Sequence, residues 1–517
     1  MRNRFLLVFS AVALAACSDV LDVLPTSSVP SETAISDAAG ARAALAGAYQ
    51  GLQQNGLYGH TLLDWTETLS DNARFVGTFD NYADADANAL RAENLSVSSI
   101  WNAAYDVINR ANNIIQKVPA VSDLDQGEKD EIVGEAHFLR ALMYHDLVKL
   151  WGGVPLRLEP VPSATDVGDV TRASPAEVYS QVLADLAQAA TAVTAGPEAT
   201  RTASLGAVRA IEARVRLYQQ DWTGAEAAAA EVEGMGYFLA PTFSDLFTGT
   251  ETAEDIFAVE FTSTQSNLVD FYYLPKALGG CYEVAPTTGT SGIIAAFDPA
   301  SAGNIANYHP TDQRGVWSIS RAGSRTYAAK YRNAAGDEDI HVIRLAEVIL
   351  IRAEALAHLN RLPEAVAEYN RLRVRAGLAP DPVTGLTQAG VLAAIARERR
   401  LELAFEGDRW PDLIRTGAVP PSVPATQQLL PIPQAEMDVS PNMLLRRTAA
   451  VAQNLNTPRV VVDTATTVVR DTVVVGSKSR DEQIAALRDQ LAQSKAELAK
   501  VSAELDRIKK RLANPSN

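Results

Sequence analysis

Three glutamates, Glu398, Glu402 and Glu406, recur at four-residue spacing and form the densest group of residues with potential acid–base chemistry. Carboxylates can transfer protons when their surroundings push their pKa values apart. Arginines stand between these glutamates, and Gly407 follows them. The block therefore fits better with an ion-pair network that holds the end of a helix ending at Gly407. We predict that its role is structural and that the chain has no catalytic residue.

The other residues that could carry chemistry form no recognisable catalytic, metal or cofactor motif. The six histidines are scattered along the sequence. We find no phosphate-binding glycine loop, dinucleotide fingerprint, zinc-protease, serine-hydrolase or EF-hand motif. We therefore predict a protein that is not an enzyme and that has no metal site and no cofactor. The net charge of −16 argues against nucleic acid as a partner, because a phosphate backbone is bound by excess Lys and Arg.

One cysteine, Cys17, lies where a lipid could be attached. The chain begins with Arg2 and Arg4, continues in the apolar stretch 5–16 and reaches Cys17 directly after two alanines. This is the arrangement of a secretory signal that is removed just before a cysteine, which then carries a diacylglyceryl group. The alternative is an ordinary signal peptide followed by an incidental cysteine. We predict lipidation at Cys17 and attachment to the bilayer through that lipid.

Aromatic side chains in loops are the candidate ligand-binding residues. Residues 238–332 hold short apolar pieces broken by Gly, Pro, Thr and Asn, which predicts long loops with occasional strands. Flat aromatic faces in such loops can bind sugar rings or peptide side chains, or can simply pack the loop onto its scaffold. We predict that aromatic residues in the tracts 65–82 and 271–331 form a ligand platform. The candidates are Trp65, Tyr82, Tyr272, Tyr273, Tyr282, Tyr308 and Trp317.

Amphipathic helices must position these loops. Segments 213–232 and 355–372 each consist of a predicted helix, a short polar turn and a second helix that begins with small alanines. This pattern is typical of tetratricopeptide-like repeats, and two unrelated alanine-rich hairpins are the alternative. Apolar residues at helical spacing predict helices over 31–54, 100–118, 128–151, 175–193, 204–234, 340–376 and 388–415.

The C-terminal part of the chain differs from the rest. After a Val/Thr-rich linker, apolar residues recur seven apart at Ile484, Leu491, Leu498, Leu505 and Leu512. This spacing predicts a coiled coil and self-association, and a single amphipathic helix lying on the body is the alternative. The predicted segments are the signal peptide 1–16, the lipidated tether 17–30, an N-terminal helical part 31–237, the loop-rich variable region 238–332, a C-terminal helical part 333–445, the linker 446–479 and the coiled coil 480–513.

Five blocks of sequence follow one another in a fixed order. The first block holds Cys17, Leu21-Asp22 and Pro25, and the second holds Trp101, Tyr105 and 108–112. The third holds Glu135-Ala136, 138–141 and 150–156, and the fourth holds 344–347, 353–355, Asn370 and 373–378. The fifth holds 398–410 and 412–415 and closes on Pro431-Ile432-Pro433. Together they resemble the SusD/RagB family of outer-membrane nutrient-binding lipoproteins. The resemblance extends over about residues 17–445, and the coiled coil lies beyond the usual end of the family.

The resemblance implies a mainly α fold, in which a tetratricopeptide-like helical scaffold carries a variable loop region. It also implies a lipid-anchored protein on the outer face of the outer membrane that delivers glycans or peptides to a TonB-dependent transporter. The signature residues carry over as fold markers, whereas the family's ligand residues do not. Two alternatives stay open: an envelope assembly scaffold that uses the helical repeats and the coiled coil, and a lipid-anchored polysaccharide hydrolase, which requires two carboxylates facing a cleft.

Overall fold

Helices dominate the computed structural model, which describes residues 34–161, 170–194, 196–197, 199–248 and 251–440. The helices are α1 (Ala38–Gly51), α2 (Thr61–Thr68), α3 (Asp80–Asp86), α4 (Leu95–Lys117), α5 (Gln126–Trp151), α6 (Pro175–Ala192), α7 (Leu205–Tyr218), α8 (Trp222–Glu233), α9 (Val269–Tyr273), α10 (Ile293–Phe297), α11 (Gln313–Ser318), α12 (Leu345–His358), α13 (Leu362–Arg375), α14 (Gln388–Glu402), α15 (Arg409–Thr416) and α16 (Gln434–Val439). The strands are β1 (Ala73–Phe75), β2 (Asp255–Val259), β3 (Val284–Pro286), β4 (Ile319–Ala322), β5 (Arg325–Ala328) and β6 (Ile340–Arg344). The predicted mainly α fold is confirmed.

Four of the predicted features lie outside the described residues. These are the signal peptide, the lipidated Cys17, the linker 446–479 and the coiled coil 480–513. Lipidation and self-association therefore stay predictions, as do the segment boundaries at 237/238 and 332/333. No helix among the residues that the structure describes is long and apolar enough to cross a membrane.

Capping side chains fix the ends of the long helices. The carboxylate of Asp125 accepts a hydrogen bond from the amide of Glu128 at the start of α5 (2.9 Å). Gly152 ends the same helix with a φ of +71°, a backbone conformation that glycine adopts without steric cost. At the start of α6, Ser174 and Glu177 form a reciprocal capping box. Local sequence therefore determines where α5 and α6 begin.

Consecutive helices pack as antiparallel pairs. Helix α5 packs between α4 and α6, α7 pairs with α8, and α12 pairs with α13, while α8 also packs against α12. The rings of Trp222 and His358 stack at 3.8 Å where α8 meets the end of α12. Small residues make the close approach of α8 possible, since Ala225, Ala228 and Ala229 are buried. These stacked pairs are the tetratricopeptide-like scaffold expected from the sequence.

The signature blocks meet inside this scaffold. The indole Nε1 of Trp151 donates a hydrogen bond to the carbonyl of Pro431 (2.8 Å), and the amide of Leu430 donates to the carbonyl of Leu150 (2.9 Å). Trp101 packs edge-on against Trp151, with ring centroids 5.4 Å apart. Blocks far apart in the sequence therefore hold one another in place, as expected of fold markers.

The strands form three separate two-stranded antiparallel sheets. Strand β2 pairs with β6, both are buried along their full length, and β6 leads directly into α12. Strand β1 pairs with β3, and β4 pairs with β5 in a hairpin. Between residues 238 and 332 the α-helices have only five or six residues each, and the 3-10 helices have three to five. Loops and short elements therefore dominate this region, which lies against the helical pairs.

The predicted helix over 388–415 is interrupted, contrary to expectation. Helix α14 ends at Glu402, and α15 begins only at Arg409. Phe405 takes a left-handed φ of +67° before Gly407, which has a φ of +80°. The chain therefore turns back, and Glu406 is not on the helix face that carries Glu402. The assignment of the helix end to Gly407 was wrong by five residues, because a non-glycine residue makes the turn.

The three glutamates nevertheless join one buried ion-pair network. Arg344 contacts Glu402 (2.6 Å), Glu406 (2.7 Å) and Glu254 (2.9 Å), and Arg314 contacts Glu398 (2.8 Å). Burial alone would raise the pKa of Glu406, but the charges of Arg344 and Lys330 lower it to about 2. Carboxylates held in this ionised state are poor proton donors at neutral pH.

A half-buried carboxyl between α1 and α5 gives the scaffold a measurable pH dependence. Tyr49 donates a hydrogen bond to Glu135, and burial raises the pKa of Glu135 from 4.5 to about 7. Between pH 4.5 and about pH 7 the folded state therefore keeps a proton that the unfolded state releases. The free energy of unfolding falls as the pH rises through this range. We expect Glu135→Gln to melt about 2 °C above the native protein at pH 8. The difference should shrink towards pH 4.5.

Thermal melts between these pH values test this expectation. Glu364→Gln is the matched control, since Glu364 is an exposed glutamate whose pKa is lowered by its hydrogen bond to Arg361. The control should not gain stability at pH 8. Parallel curves of melting temperature against pH for native protein and Glu135→Gln would contradict the assignment of this proton to Glu135.

Candidate ligand-binding surface

Three aromatic side chains, Phe79, Phe271 and Tyr272, form an exposed cluster that we call the aromatic surface. The ring of Tyr272 lies 6.3 Å from that of Phe79 and 5.9 Å from that of Phe271, both in edge-to-face geometry. Phe79 is 43% exposed and Phe271 is 39% exposed, while Tyr272 is half-buried. Clustered exposed rings are characteristic of binding surfaces, whereas single exposed apolar residues are common on any protein.

A polar, buried base supports the ring of Tyr272. The Tyr272 ring stacks with the imidazole of His60 at a centroid distance of 4.3 Å and with the ring of Tyr82 at 5.3 Å. The hydroxyl of Tyr82 donates a hydrogen bond to Asp64 (2.9 Å), and Nδ1 of His60 lies 3.3 Å from the same carboxylate. Burial raises the pKa of Asp64. These contacts fix the planes of His60 and Tyr82, and so the orientation of Tyr272.

One buried glutamate joins the two chain segments that carry the aromatic surface. The amide of Glu283 donates a hydrogen bond to the carbonyl of Tyr272 (2.9 Å). Its carboxylate accepts hydrogen bonds from the amides of Thr78 (2.6 Å) and Phe79 (2.9 Å). A β-carbon at Gly77 would lie 2.0 Å from this carboxylate, so a larger residue there would displace the Glu283 side chain from its present position. Glu283 and Gly77 therefore position Phe79 beside Tyr272.

The structure corrects the expectation for three candidate residues. Trp65, Tyr82 and Tyr273 are 0%, 1% and 2% exposed, so none of them can present a ring face to a ligand in this conformation. The indole of Trp65 donates a hydrogen bond to the carbonyl of Asn81 (2.8 Å). Tyr273 packs edge-on against Phe405 at 5.7 Å. All three lie in the interior beneath the surface, where α2 packs against both α3 and α9.

The other candidates are half-buried and more widely distributed. Tyr282 donates to the carbonyl of Thr326 (3.0 Å). Tyr308 donates to the carbonyl of Gly315 (2.9 Å). Trp317 donates to the carbonyl of Lys330 (3.1 Å). The predicted tracts do meet at Tyr82 and Tyr272, whereas the contacts of Tyr308 and Trp317 are with other parts of the loop region.

Sequence reasoning missed Phe79, Phe271 and His60 as members or supports of this surface. Phe79 and Phe271 fall within the two predicted tracts, so aromatic content alone pointed to the correct segments. Nothing in the sequence distinguishes them from their buried neighbours Tyr82 and Tyr273, since that difference depends on the pairing of β1 with β3. His60 looked like one of six scattered histidines until the fold placed it under Tyr272.

The arrangement is suited to binding a flat apolar face and offers few polar groups for catalysis. The nearest carboxylates, Asp64 and Glu283, are buried and already accept hydrogen bonds. In the described ranges, no three His, Cys, Asp or Glu side chains are grouped to hold a metal ion. Burial raises the pKa of the Cys281 thiol beside Tyr272 to about 11, which keeps it protonated and unreactive at neutral pH.

A separate cavity of about 400 Å³ lies against α4. Trp101, Asn102, Tyr105, Asn109 and Pro155 contribute to its lining. Two of its polar groups are already bonded: the Tyr105 hydroxyl donates to the carbonyl of Pro155 (2.7 Å), and Asn109 accepts from the amide of Val161 (2.9 Å). Most of its lining residues belong to α4. This cavity is the main alternative to the aromatic surface as a ligand site.

Known proteins are similar to this chain over most of its length. A sequence model described as "Starch-binding associating with outer membrane" matches residues 19–217, and one described as "SusD family" matches residues 300–419. The chain is similar to SusD-like protein P38 of Formosa agariphila, at 27% identity over 80% of this chain and 90% of that protein. It is also similar to SusD-like protein P2 of the same organism, at 26% identity over 84% of this chain and 96% of that protein.

Solved structures share the fold. A SusD superfamily protein from Bacteroides vulgatus superposes with a TM-score of 0.67, at 21% identity over 79% of this chain and 98% of that chain. A structure described as a laminarin binding SusD-like protein superposes with a TM-score of 0.65, at 23% identity over 79% of this chain and 98% of that chain. With both sequence models, the curated relatives and the fold in agreement, the chain belongs to the SusD/RagB family.

Proposed function

We propose that this protein is a lipid-anchored outer-membrane protein that binds glycans on its aromatic surface and passes them to a TonB-dependent transporter. The observation that carries the proposal is the exposed cluster of Phe79, Phe271 and Tyr272 on a rigid polar base. Sugar rings present C–H faces that pack against aromatic rings, and each such contact contributes on the order of 1 kcal/mol. Several rings are therefore needed for useful affinity.

The relatives support a glycan over a peptide as the ligand. One solved relative is described as laminarin binding, and one matching sequence model is described as starch-binding. Both descriptions concern other proteins. They guide the choice of the first polysaccharides to test here, which are laminarin and starch.

Affinity electrophoresis of the full chain tests glycan binding. Native gels that contain a polysaccharide should retard the chain if it binds, while the same gels without polysaccharide should not. Incubation of the bound glycan with the chain should release no new reducing ends, which separates binding from hydrolysis. Failure of every neutral and acidic polysaccharide to retard the chain would contradict the proposed function.

The transporter is tested separately from the glycan. The full chain, tagged at its C-terminus, is extracted from outer membranes in mild detergent, and the proteins that copurify with it are identified. We expect a large β-barrel transporter among them, and we expect Cys17→Ala to remove the chain from the membrane fraction. Recovery of only other envelope proteins would favour the assembly scaffold instead.

Gly77→Ala should weaken glycan binding without unfolding the protein. The added β-carbon would overlap the Glu283 carboxylate, which must then release the amides of Thr78 and Phe79. Displacement of Phe79 removes one stacking contact, so we expect about fivefold weaker binding. Gly47→Ala is the matched control, because a β-carbon there meets no atom within 4 Å. Equal affinities for the two variants would contradict the positioning role of Glu283.

A further inference from the structure

Three arginines, Arg74, Arg325 and Arg332, have no carboxylate at ion-pair distance among the residues that the structure describes. We call them the arginine strip. The absence of an acidic partner is unexpected because the chain has 62 acidic residues and 46 basic residues. Scaffold arginines such as Arg140 and Arg214 each contact a buried carboxylate. Unpaired cations within an acidic protein produce a local positive potential, which attracts anions.

Aromatic rings hold these guanidinium groups. The guanidinium carbon of Arg325 lies 5.0 Å from the ring centre of Tyr282, and that of Arg332 lies 3.4 Å from the ring centre of Trp317. Burial raises the pKa of Tyr282, and the charges of Arg74 and Arg325 both oppose this rise, which places both arginines near its hydroxyl. A ring covers one face of a guanidinium and leaves its N–H edge free to donate.

Much of the donor capacity of the arginine strip is unused. The Nε of Arg74 is buried and has no hydrogen-bond partner. Arg325 is exposed, and its one contact in the described structure is the ring of Tyr282. Arg332 donates to the carbonyls of Ala329 and Trp317 through two of its five N–H groups. The strip can therefore accept an anion without breaking an existing ion pair.

The arginine strip is connected to the aromatic surface through the chain. Arg325 and Tyr327 are two residues apart on β5, so their side chains project from the same face about 7 Å apart. The hydroxyl of Tyr282 bonds to the backbone of β5, and the amide of the preceding residue, Cys281, bonds to the carbonyl of Phe271. One short segment therefore joins the arginine strip to the aromatic surface.

We infer that the arginine strip binds the carboxylate or sulfate groups of an acidic glycan whose sugar rings pack on the adjacent aromatic side chains. This inference rests on the proposed glycan-binding function and adds the charge of the substrate. A guanidinium donates two parallel hydrogen bonds to a planar carboxylate, which gives both affinity and orientation. The charges of Asp86 and Glu338 act on Arg74 and Arg332 respectively, but neither pair lies at ion-pair distance, so these donors are available.

Affinity electrophoresis of the full chain tests this inference. The gels contain polygalacturonate, alginate or a sulfated galactan, with laminarin and starch as neutral counterparts. We expect at least one acidic polymer to be bound tenfold or more tightly than the neutral ones at low salt, with most of this preference lost at about 0.5 M salt. Arg325→Gln/Arg332→Gln should lose at least tenfold in affinity for the acidic polymer and keep its affinity for any neutral one.

The control variant is Arg91→Gln, because Arg91 is exposed but paired with Asp84 (2.9 Å). It should bind like the native protein. Binding of neutral polymers alone, unchanged in the double variant, would overturn the inference and leave the proposed function standing. Binding of no polymer would overturn both. Equally tight binding of poly-glutamate, lost in the same double variant, would overturn the assignment to a sugar, because an acidic polypeptide would then suffice.

Discussion

Tyr272→Ala is expected to weaken glycan binding at least tenfold while the helical scaffold stays folded. The substitution removes the ring that contacts Phe79 and Phe271 and that stacks with His60 and Tyr82. One lost sugar contact costs on the order of 1 kcal/mol, and the neighbouring rings also lose their support. A total near 1.4 kcal/mol corresponds to a tenfold change in affinity. Titration calorimetry with the oligosaccharide that binds the native protein measures the change.

Two further variants make this result specific. Tyr272→Phe keeps the ring and should bind within about threefold of the native protein. Phe238→Ala removes an exposed ring that is 68% accessible and has no ring contact within the described structure, and it should leave affinity unchanged. If all three variants bind like the native protein, the glycan does not bind at the aromatic surface.

Arg344→Met is expected to lower the free energy of unfolding by about 3–5 kcal/mol. Arg344 is 1% exposed and contacts Glu254, Glu402 and Glu406. Methionine fills similar space but leaves three buried carboxylates with fewer counter-charges, and a buried charge without a partner is costly. Urea unfolding, followed by circular dichroism, measures the loss as a lower midpoint.

The matched control is Arg91→Met, which breaks the ion pair with Asp84 at a position where the arginine side chain is 64% exposed. Exposed pairs contribute about 0–1 kcal/mol, so the control should unfold close to the native midpoint. Similar midpoints for Arg344→Met and Arg91→Met would show that the buried network does not stabilise the fold. Failure of Arg344→Met alone to accumulate as folded protein agrees with the expected loss.

Sequence periodicity predicted the scaffold well because local signals and burial agree there. Helix α5 was expected over 128–151 and is observed as Gln126–Trp151, with a capping aspartate at its start and a glycine at its end. The interruption after α14 had no such signal. Phe405 takes a left-handed conformation that costs energy for a residue with a β-carbon. The ion pairs of Glu406 with Arg344 and Lys330 accompany this turn, and they come from distant segments.

The candidate site was only partly predictable, since its geometry depends on contacts between distant parts of the chain. Aromatic content located both tracts but could not separate exposed Phe79 from buried Tyr82. Strand β1 pairs with β3, and Ala73 lies opposite Pro286 although the two residues are far apart in the sequence. Glu283 then fixes Phe79 beside Tyr272 through main-chain hydrogen bonds. No local pattern in the sequence encodes that carboxylate's role.

The most direct test of the proposed function is a crystal structure of the chain with an oligosaccharide that it binds in solution. We expect a sugar ring packed against Tyr272, with Phe79 and Phe271 beside it. A sugar bound instead in the cavity lined by Trp101 and Tyr105, with the aromatic surface empty, would contradict this account. The helical scaffold would then carry the binding site, and the loop aromatics would serve only to pack the variable region.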